Sequence, residues 1–300
     1  MSGKPKRGPG QGRGGRAAAG RRSGPPRSRG AGRTGQVREG DAPKKRQHKT
    51  LGGEQIEGRQ AVRELLIAQR RKVHEVWISG ELEGTDAVDD IVAIANANRV
   101  PVIRVARKKL EAAARSEAPQ GVLALAAPLP EADLTKYLRR RGKQPPFLVA
   151  VDGVTDPGNL GAIIRSCDGA GADVVVLPRH RAVHVTPTVA KASAGAVEHQ
   201  PIAVVSGLPG ALQRMRDAGI WVVGLDDAAD RSLFELGDLA TEAVCLVLGA
   251  EGAGLSRLVR ERCDLIVSIP MLGRVSSLNV SAAAALTAYE IRRHRTGVSG

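Results

Sequence analysis

Six uninterrupted apolar runs after residue 146 most constrain what this chain can fold into: FLVAVDG, DVVVLP, PIAVV, IWVVGLD, AVCLVLG and DLIVSIP. A strand with one face in water alternates apolar and polar residues, whereas a run without alternation is covered on both faces. Helix-like stretches separate most of the runs, which predicts a parallel sheet with helices packed on each side. In such sheets ligands gather beyond the carboxyl ends of the strands, so the turns that follow the runs are where chemistry is expected.

Three of those turns carry a polar signature. In DPGNLGAIIRSCDGAGADVVVLP, from Asp156, the turn Pro157-Gly158-Asn159 enters a helix whose free N–H groups favour an anion, and Arg165 follows six residues on. Asn159 serves either as a ligand group or as a plain helix cap, and Arg165 either as an anion contact or in a surface ion pair. In LVLGAEGAGLS, from Leu246, Gly249, Gly252 and Gly254 permit positive φ and close backbone approach around a lone carboxylate, Glu251. No Lys-Ser/Thr pair follows, so this is not a phosphate-binding loop of the Walker type, and the glycine spacing is not that of a dinucleotide fingerprint. In SIPMLGRVSSLNVSAAAALTAYE, from Ser268, a strand ends at Ile269-Pro270 and a small-residue helix is expected from Ser277, with Ser276 or Ser277 as its cap and Asn279 in its first turn. Arg292, Arg293 and Arg295 near the end of that helix complement its dipole.

Upstream, GRQAVRELLIAQRR (58–71) has helical spacing with Val62, Leu65 and Leu66 on one face. Strand VHEVWIS, a helix capped by Thr85, strand VPVIRVA, a short helix and strand GVLALAA complete a small α/β unit. Prolines 128, 130, 145 and 146 bracket the polar run TKYLRRRGKQPP. These boundaries predict a tail over 1–50, a small α/β domain over 51–128, a linker over 129–146 and a larger domain over 147–297.

The net charge of +14 is not spread evenly, because residues 1–50 hold fifteen Lys and Arg against Glu39 and Asp41. That Gly-, Pro-, Arg- and Ala-rich tail has almost no large apolar residue to offset chain entropy and is expected to be disordered, serving either as a solubilising tail or as an arm for nucleic-acid phosphates. Cys167, Cys245 and Cys263 lack paired spacing and read as buried apolar residues of a protein in a reducing, cytoplasmic compartment. No run has the length of a membrane span, and His180 and His184 have no acidic companion that would make them a metal pair. Only two Trp, two Tyr and two Phe are present, too few for a base-stacking platform, so any RNA recognition by such a chain must use phosphate contacts, shape and backbone donors.

Taken in order, DGVTDPGNLGAIIRS, LGAEGAGLS and IPMLGRVSSLNVSAA resemble the three motifs of the SpoU/TrmH-type RNA 2′-O-ribose methyltransferases of the SPOUT class, most of all the bacterial branch acting on a guanosine of 23S ribosomal RNA. The resemblance spans residues 147–295, with a weaker one from GRQAVRELL through QGVLAL to that branch's small RNA-binding domain. It implies a parallel sheet with a C-terminal trefoil knot, an S-adenosylmethionine pocket at Gly249, Ile269 and Leu278, and a homodimer through the C-terminal domain. It also implies Asn159, Arg165, Glu251, Ser277 and Asn279 as the catalytic polar set and ribosomal RNA as partner, with no metal. The family casts Arg165 as base, but a guanidinium is protonated up to a pH of about 12, which assigns it instead to phosphate binding and alkoxide stabilisation. Arg59 and PQGV stand where many relatives have His and HQG-type sequence, which bears on the target nucleotide and not on the reaction. A non-catalytic RNA-binding or ribosome-assembly protein and a transfer-RNA ribose methyltransferase remain the alternatives, and a nucleotide-binding oxidoreductase is weaker for want of its glycine signature.

Overall fold

The computed structural model describes residues 50–297 apart from 83–85, 140, 141, 143, 181 and 182. The basic tail, the Thr85 cap, Arg140 and Arg141 lie outside the described residues.

Apolar side chains from two directions close the first sheet. Strand β1 (Gln55–Glu57) leads into helix α1 (Arg59–Ala68), then β2 (Val73–Ser79), α2 (Asp86–Ala97), β3 (Val102–Val105), α3 (Arg107–Ala113) and β4 (Val122–Ala126). The order across the sheet is β1-β4-β2-β3, with β2 and β3 parallel and β4 antiparallel to both β1 and β2. Helix α1 buries Ala61, Val62, Leu65 and Leu66 and ends where Gln69 turns left-handed at φ 48°. β1 is absent from the sequence reading, and the sheet is mixed. Its three residues alternate polar and apolar and are strand only through pairing with β4.

The Glu57 carboxylate, at the end of β1, is fully buried. It accepts from the Gln55 side-chain amide at 2.7 Å, from the backbone N–H groups of Arg115 and Ser116 at 2.7 and 2.9 Å, and from the Ser116 hydroxyl at 2.5 Å. Charge-assisted bonds of this kind hold the chain after α3 in one place.

A short helix α4 (Leu134–Leu138), capped by Asp133, leads to the large sheet. It contains β5 (Phe147–Val151), α5 (Pro157–Ala170), β6 (Val174–Pro178), α6 (Pro187–Ala192), β7 (Ile202–Val205), α7 (Leu208–Asp217), β8 (Trp221–Leu225), β9 (Val244–Leu248), α8 (Arg257–Arg260), β10 (Leu265–Val267) and α9 (Val280–Thr296). All six strands are parallel in the order β10-β8-β9-β5-β6-β7, as the unalternated runs predict. Along β5, Phe147, Val149 and Val151 pack on one side with Leu160, Ile163 and Ile164 of α5 and with Ala284, Ala288 and Ile291 of α9. Leu148 and Ala150 pack on the other with Leu212 and Met215 of α7.

Helix α9 starts at Val280 and not Ser277, and its cap is Asn279, whose side chain accepts from the Ser281 N–H at 2.9 Å. Neither Ser276 nor Ser277 caps it. Arg295 also departs from a simple dipole role. Its guanidinium donates to the carbonyls of Ala240, Pro145, Pro146 and Glu242 and lies over the Phe147 ring, and burial lowers its pKa.

The two sheets belong to one body. Arg71, just past α1, forms a two-bond pair with Glu198, at 3.0 and 2.5 Å, and donates to the carbonyls of Gly53 and Ala127 at 2.5 and 2.6 Å. Both side chains are sealed from water, at 3% and 1% exposure. Arg70 adds bonds to the carbonyls of Glu198 and His199.

Candidate active site

Strand order reverses direction at β5, where β6 and β7 lie to one side and β9 and β8 to the other. Chains leaving the carboxyl ends of β5 and β9 therefore diverge and leave a crevice. Three loops meet there.

The loop after β5 ends in Asp156, whose carboxylate accepts the Asn159 N–H at 2.7 Å, with Pro157 in the first helical turn. Capping by Asp156 leaves the Asn159 side chain free for another task, so the plain-cap alternative for Asn159 does not hold. The loop after β9 folds into a tiny hairpin in which Ala250 and Gly254 exchange backbone bonds of 3.0 Å. Gly254 has φ 62°, and a Cβ on Gly249 would lie 2.3 Å from the Gly254 carbonyl carbon. Only glycine permits this backbone contact, which puts Glu251 at the hairpin tip. The third loop brings Asn279 in at the start of α9.

The three side chains form a closed set. The Asn159 amide donates to Glu251 Oε1 at 2.9 Å, and the Asn279 amide donates to the same oxygen at 2.6 Å and to Asn159 Oδ1 at 3.1 Å. Two donors thus share one carboxylate oxygen, and Glu251 Oε2 has no hydrogen-bond donor among the described residues. Glu251 and Asn279 are exposed and Asn159 is half-buried, so the set faces a ligand and not the core.

Beside it lies a cavity of about 190 Å³ lined by Gly249, Ile269 and Leu278, together with Glu251 and Ser277. Asn159, Arg165 and Asn279 do not line it. Arg165 sits exposed on α5 with no hydrogen bond or ion pair among the described residues, so the surface-ion-pair alternative fails there too. Ser277 is exposed in the irregular segment before α9.

The sequence reading did not place Asp226 and Asp227 here, yet both line the cavity at the end of β8. The signal was present in the pair of acids closing the run IWVVGLDD, because that run is another parallel strand ending on the same side. Asp226 is held by the Arg260 guanidinium and by the Ala228 N–H, the latter at 3.0 Å.

The cysteines stand apart from this site. Cys167 and Cys245 are buried, Cys263 is half-buried, and all three are free. Burial pushes the thiols of Cys167 and Cys263 up to about 12 and that of Cys245 higher still, so each stays protonated and unreactive at neutral pH. Among the described residues no group of three or more His, Cys, Asp or Glu is placed to hold a metal, and no helix is long and apolar enough to cross a membrane.

Comparison with known proteins follows the same division. Residues 146–289 match the SpoU rRNA Methylase family, and residues 55–132 match the family described as RNA 2′-O ribose methyltransferase substrate binding. A Bacillus subtilis protein named for the TrmH family of tRNA/rRNA methyltransferases, YacO, is 41% identical over 80% of this chain and 96% of its own. The 23S rRNA (guanosine-2′-O-)-methyltransferase RlmB of Pseudomonas putida is 38% identical over 81% and 97%. Among solved structures, the SpoU methyltransferase AviRb of Streptomyces viridochromogenes in complex with AdoMet superposes with a TM-score of 0.67 at 29% identity, covering 81% of this chain and 90% of that one.

Proposed function

The chain belongs to the SpoU rRNA methylase family and is an RNA 2′-O-ribose methyltransferase, and from that premise we propose that it methylates a guanosine of 23S ribosomal RNA. The carrying observation is the convergence of Asn159 and Asn279 on one oxygen of Glu251 beside a glycine-built cavity.

The cavity fits S-adenosylmethionine. Residues 249–254 form one part of its lining, with Leu225, Ile269 and Leu278 as apolar cover and Asp226 as a carboxylate. A side chain at Gly249 would collide with the Gly254 backbone and disrupt the hairpin that forms the wall. The cofactor would supply an electrophilic methyl group. Gly249, Ile269 and Leu278 would hold it, and the chain's polar residues handle the ribose.

Transfer requires the ribose 2′ oxygen to be aligned with the methyl and to lose its proton, and positioning supplies much of the rate. Glu251 Oε2, left open while Oε1 is fixed by two amides, accepts the 2′-hydroxyl hydrogen bond and takes the proton. The second N–H of Asn159 orients the ribose. Arg165, a free and permanently charged guanidinium on the same helix, binds the adjacent phosphate and stabilises charge growing on the oxygen. Ser277 contributes a hydroxyl at the rim shared with the cofactor.

Several finer features complete this reading. The chain after β10, at one sheet edge, returns to pack α9 against α5 and β9 in the middle, which supports the trefoil knot that the family resemblance implies. Knots are otherwise nearly absent from proteins. Homodimerisation through this domain is supported by Leu286 and Tyr289 exposed on α9 and by Leu272 and Val275 exposed just before it. The domain limits remain 51–128 for RNA substrate binding and 147–297 for methyl transfer, joined by 129–146. The protein is cytoplasmic, where its free thiols stay reduced and ribosomal RNA is at hand. The tail over 1–50 is an arm for RNA phosphates, so deleting residues 1–49 should weaken RNA binding and flatten its salt dependence. An unchanged slope removes the arm from the account.

Methyl transfer from labelled S-adenosylmethionine to unmodified ribosomal RNA tests the central reading. Label should appear on a ribose 2′ oxygen of 23S RNA and be lost in Asn159→Ala and Glu251→Ala. Transfer to transfer RNA alone would move the substrate, and cofactor binding without any transfer would favour a non-catalytic RNA-binding role.

A further inference from the structure

Charge along the cofactor cavity is one-sided. Its lining includes three carboxylates, Asp226, Asp227 and Glu251, and no Lys, Arg or His among the described residues. Glu251 belongs to the second sequence motif, whereas Asp226 and Asp227 lie in none of the three. A carboxylate with no cation beside it leaves a field that a positively charged ligand offsets.

The three acids are not equivalent. The Asp226 side chain is 9% exposed and is held by the Arg260 guanidinium and the Ala228 N–H, so its charge is matched within the protein. Glu251 is bonded by two neutral amides, which fix its position without cancelling its charge. In the proposed reaction it is discharged, because it takes the ribose proton. Asp227 is exposed at the cavity and has no hydrogen bond or ion pair among the described residues. Of the three charges, it is the one that neither the fold nor the reaction removes.

The ligand changes charge across the same step. S-adenosylmethionine carries one net positive charge, from its sulfonium, since its ammonium and carboxylate cancel. Methyl transfer forms the bond from carbon to the ribose oxygen and breaks the bond from carbon to sulfur, whose electron pair stays on sulfur. The product, S-adenosylhomocysteine, is neutral overall and differs only by the methyl group and that charge. A cavity of about 190 Å³ is small beside a screening length of about 8 Å at physiological salt, so a charge on its lining acts on whatever fills it.

We propose that Asp227 is a specificity residue of the cofactor cavity, favouring the charged methyl donor over the neutral product and so assisting their exchange after each turnover. The proposal rests on the cofactor reading of the preceding section. It requires a shared cavity and no direct contact between Asp227 and the ligand.

Calorimetric titration of the full chain with S-adenosylmethionine, S-adenosylhomocysteine and sinefungin separates charge from shape. Sinefungin lacks the sulfonium but keeps a net positive charge through an amine at that place. Wild type is compared with Asp227→Asn and Asp227→Lys. The control is Asp238→Asn, an exposed acid before β9 and so at the other end of that strand from the cavity. Because Asp227 has no partner in the fold, its variants should keep the wild-type melting temperature. Asp227→Asn should raise the Kd for S-adenosylmethionine and sinefungin about three- to tenfold and leave that for S-adenosylhomocysteine within about twofold. Asp227→Lys should widen the loss, high salt should shrink it, and Asp238→Asn should show none. An equal loss for all three ligands overturns the proposal and makes Asp227 a partner of the moieties they share. An unchanged Kd for the two cations overturns it too, as does an equal shift in Asp238→Asn, which would assign the effect to overall charge. In each of these cases wild type still binds the ligands and the cofactor reading stands, whereas wild type that binds none of the three defeats both.

Discussion

Two polar clusters in this protein are built from similar parts and do opposite work. Arg71 and Glu198 are buried, share two hydrogen bonds, and the Arg71 guanidinium donates two more to the carbonyls of Gly53 and Ala127. Asn159, Glu251 and Asn279 are also bonded to one another, but they are open to solvent, and one carboxylate oxygen is left over. A cluster sealed from water is out of a ligand's reach and can only hold elements together. An unsaturated one at a crevice costs some stability and offers donors and acceptors at fixed positions.

The contrast breaks most visibly at Glu198. Glu198→Ala strands the Arg71 guanidinium away from water, and the expected loss is about 3–5 kcal/mol of unfolding free energy by urea titration. Replacing both partners, Arg71→Met with Glu198→Leu, should cost less than Glu198→Ala alone, because no buried charge is left uncompensated. A single variant losing under about 1 kcal/mol would mean the pair is not sealed as described.

At the open cluster the effect should fall on rate. Asn279 has two roles, capping α9 through Oδ1 and fixing Glu251 through its amide. Asn279→Ser keeps an oxygen for the cap but loses the amide, so methyl transfer should fall on the order of 10²-fold with stability held within about 0.5 kcal/mol. Asn279→Ala should show the same rate loss and add about 1 kcal/mol of destabilisation from the missing cap. If Asn279→Ser retains full turnover, the amide bridge is structural and the contrast between the clusters collapses.

The same contrast explains what the sequence made legible. The unalternated runs specify a parallel sheet because burial on both faces is a property of each strand by itself. The three polar turns were readable for the same reason, since each strand points its own loop at the crevice. β1 was not, because QIE has no strand character until β4 pairs with it. Arg71 and Glu198 are 127 residues apart and meet only through packing, so no local pattern announces them. The cap of α9 was misplaced because Ser276, Ser277 and Asn279 all have capping chemistry, and only the bond of Asn279 to Ser281 selects among them. Arg59 and Pro119 were legible as departures from the family pattern, but that both line one cavity is a matter of tertiary structure.

Between the two extremes lies Glu290 near the end of α9, which allows the comparison to be graded. Its carboxylate accepts two bonds from Arg293, at 3.0 and 2.8 Å, and lies 3.1 Å from His294. Hydrogen bonding from Arg293 holds its pKa below the ordinary carboxylate value, against an opposing contribution from burial. A carboxylate with a depressed folded-state pKa adds stability that is fully present above its unfolded value of about 4.3 and disappears as pH falls through the folded value. Because Arg293 is substantially solvent-exposed, at 44%, screening keeps the contribution small. Wild type should therefore be slightly more stable than Glu290→Gln at pH 7, with the gap closing as the solution is acidified below the normal carboxylate range. A gap that stays constant to pH 3 would show that the ion pair adds nothing beyond what the neutral amide supplies. In that case partial exposure alone would be enough to remove a polar cluster from the energetics of the fold.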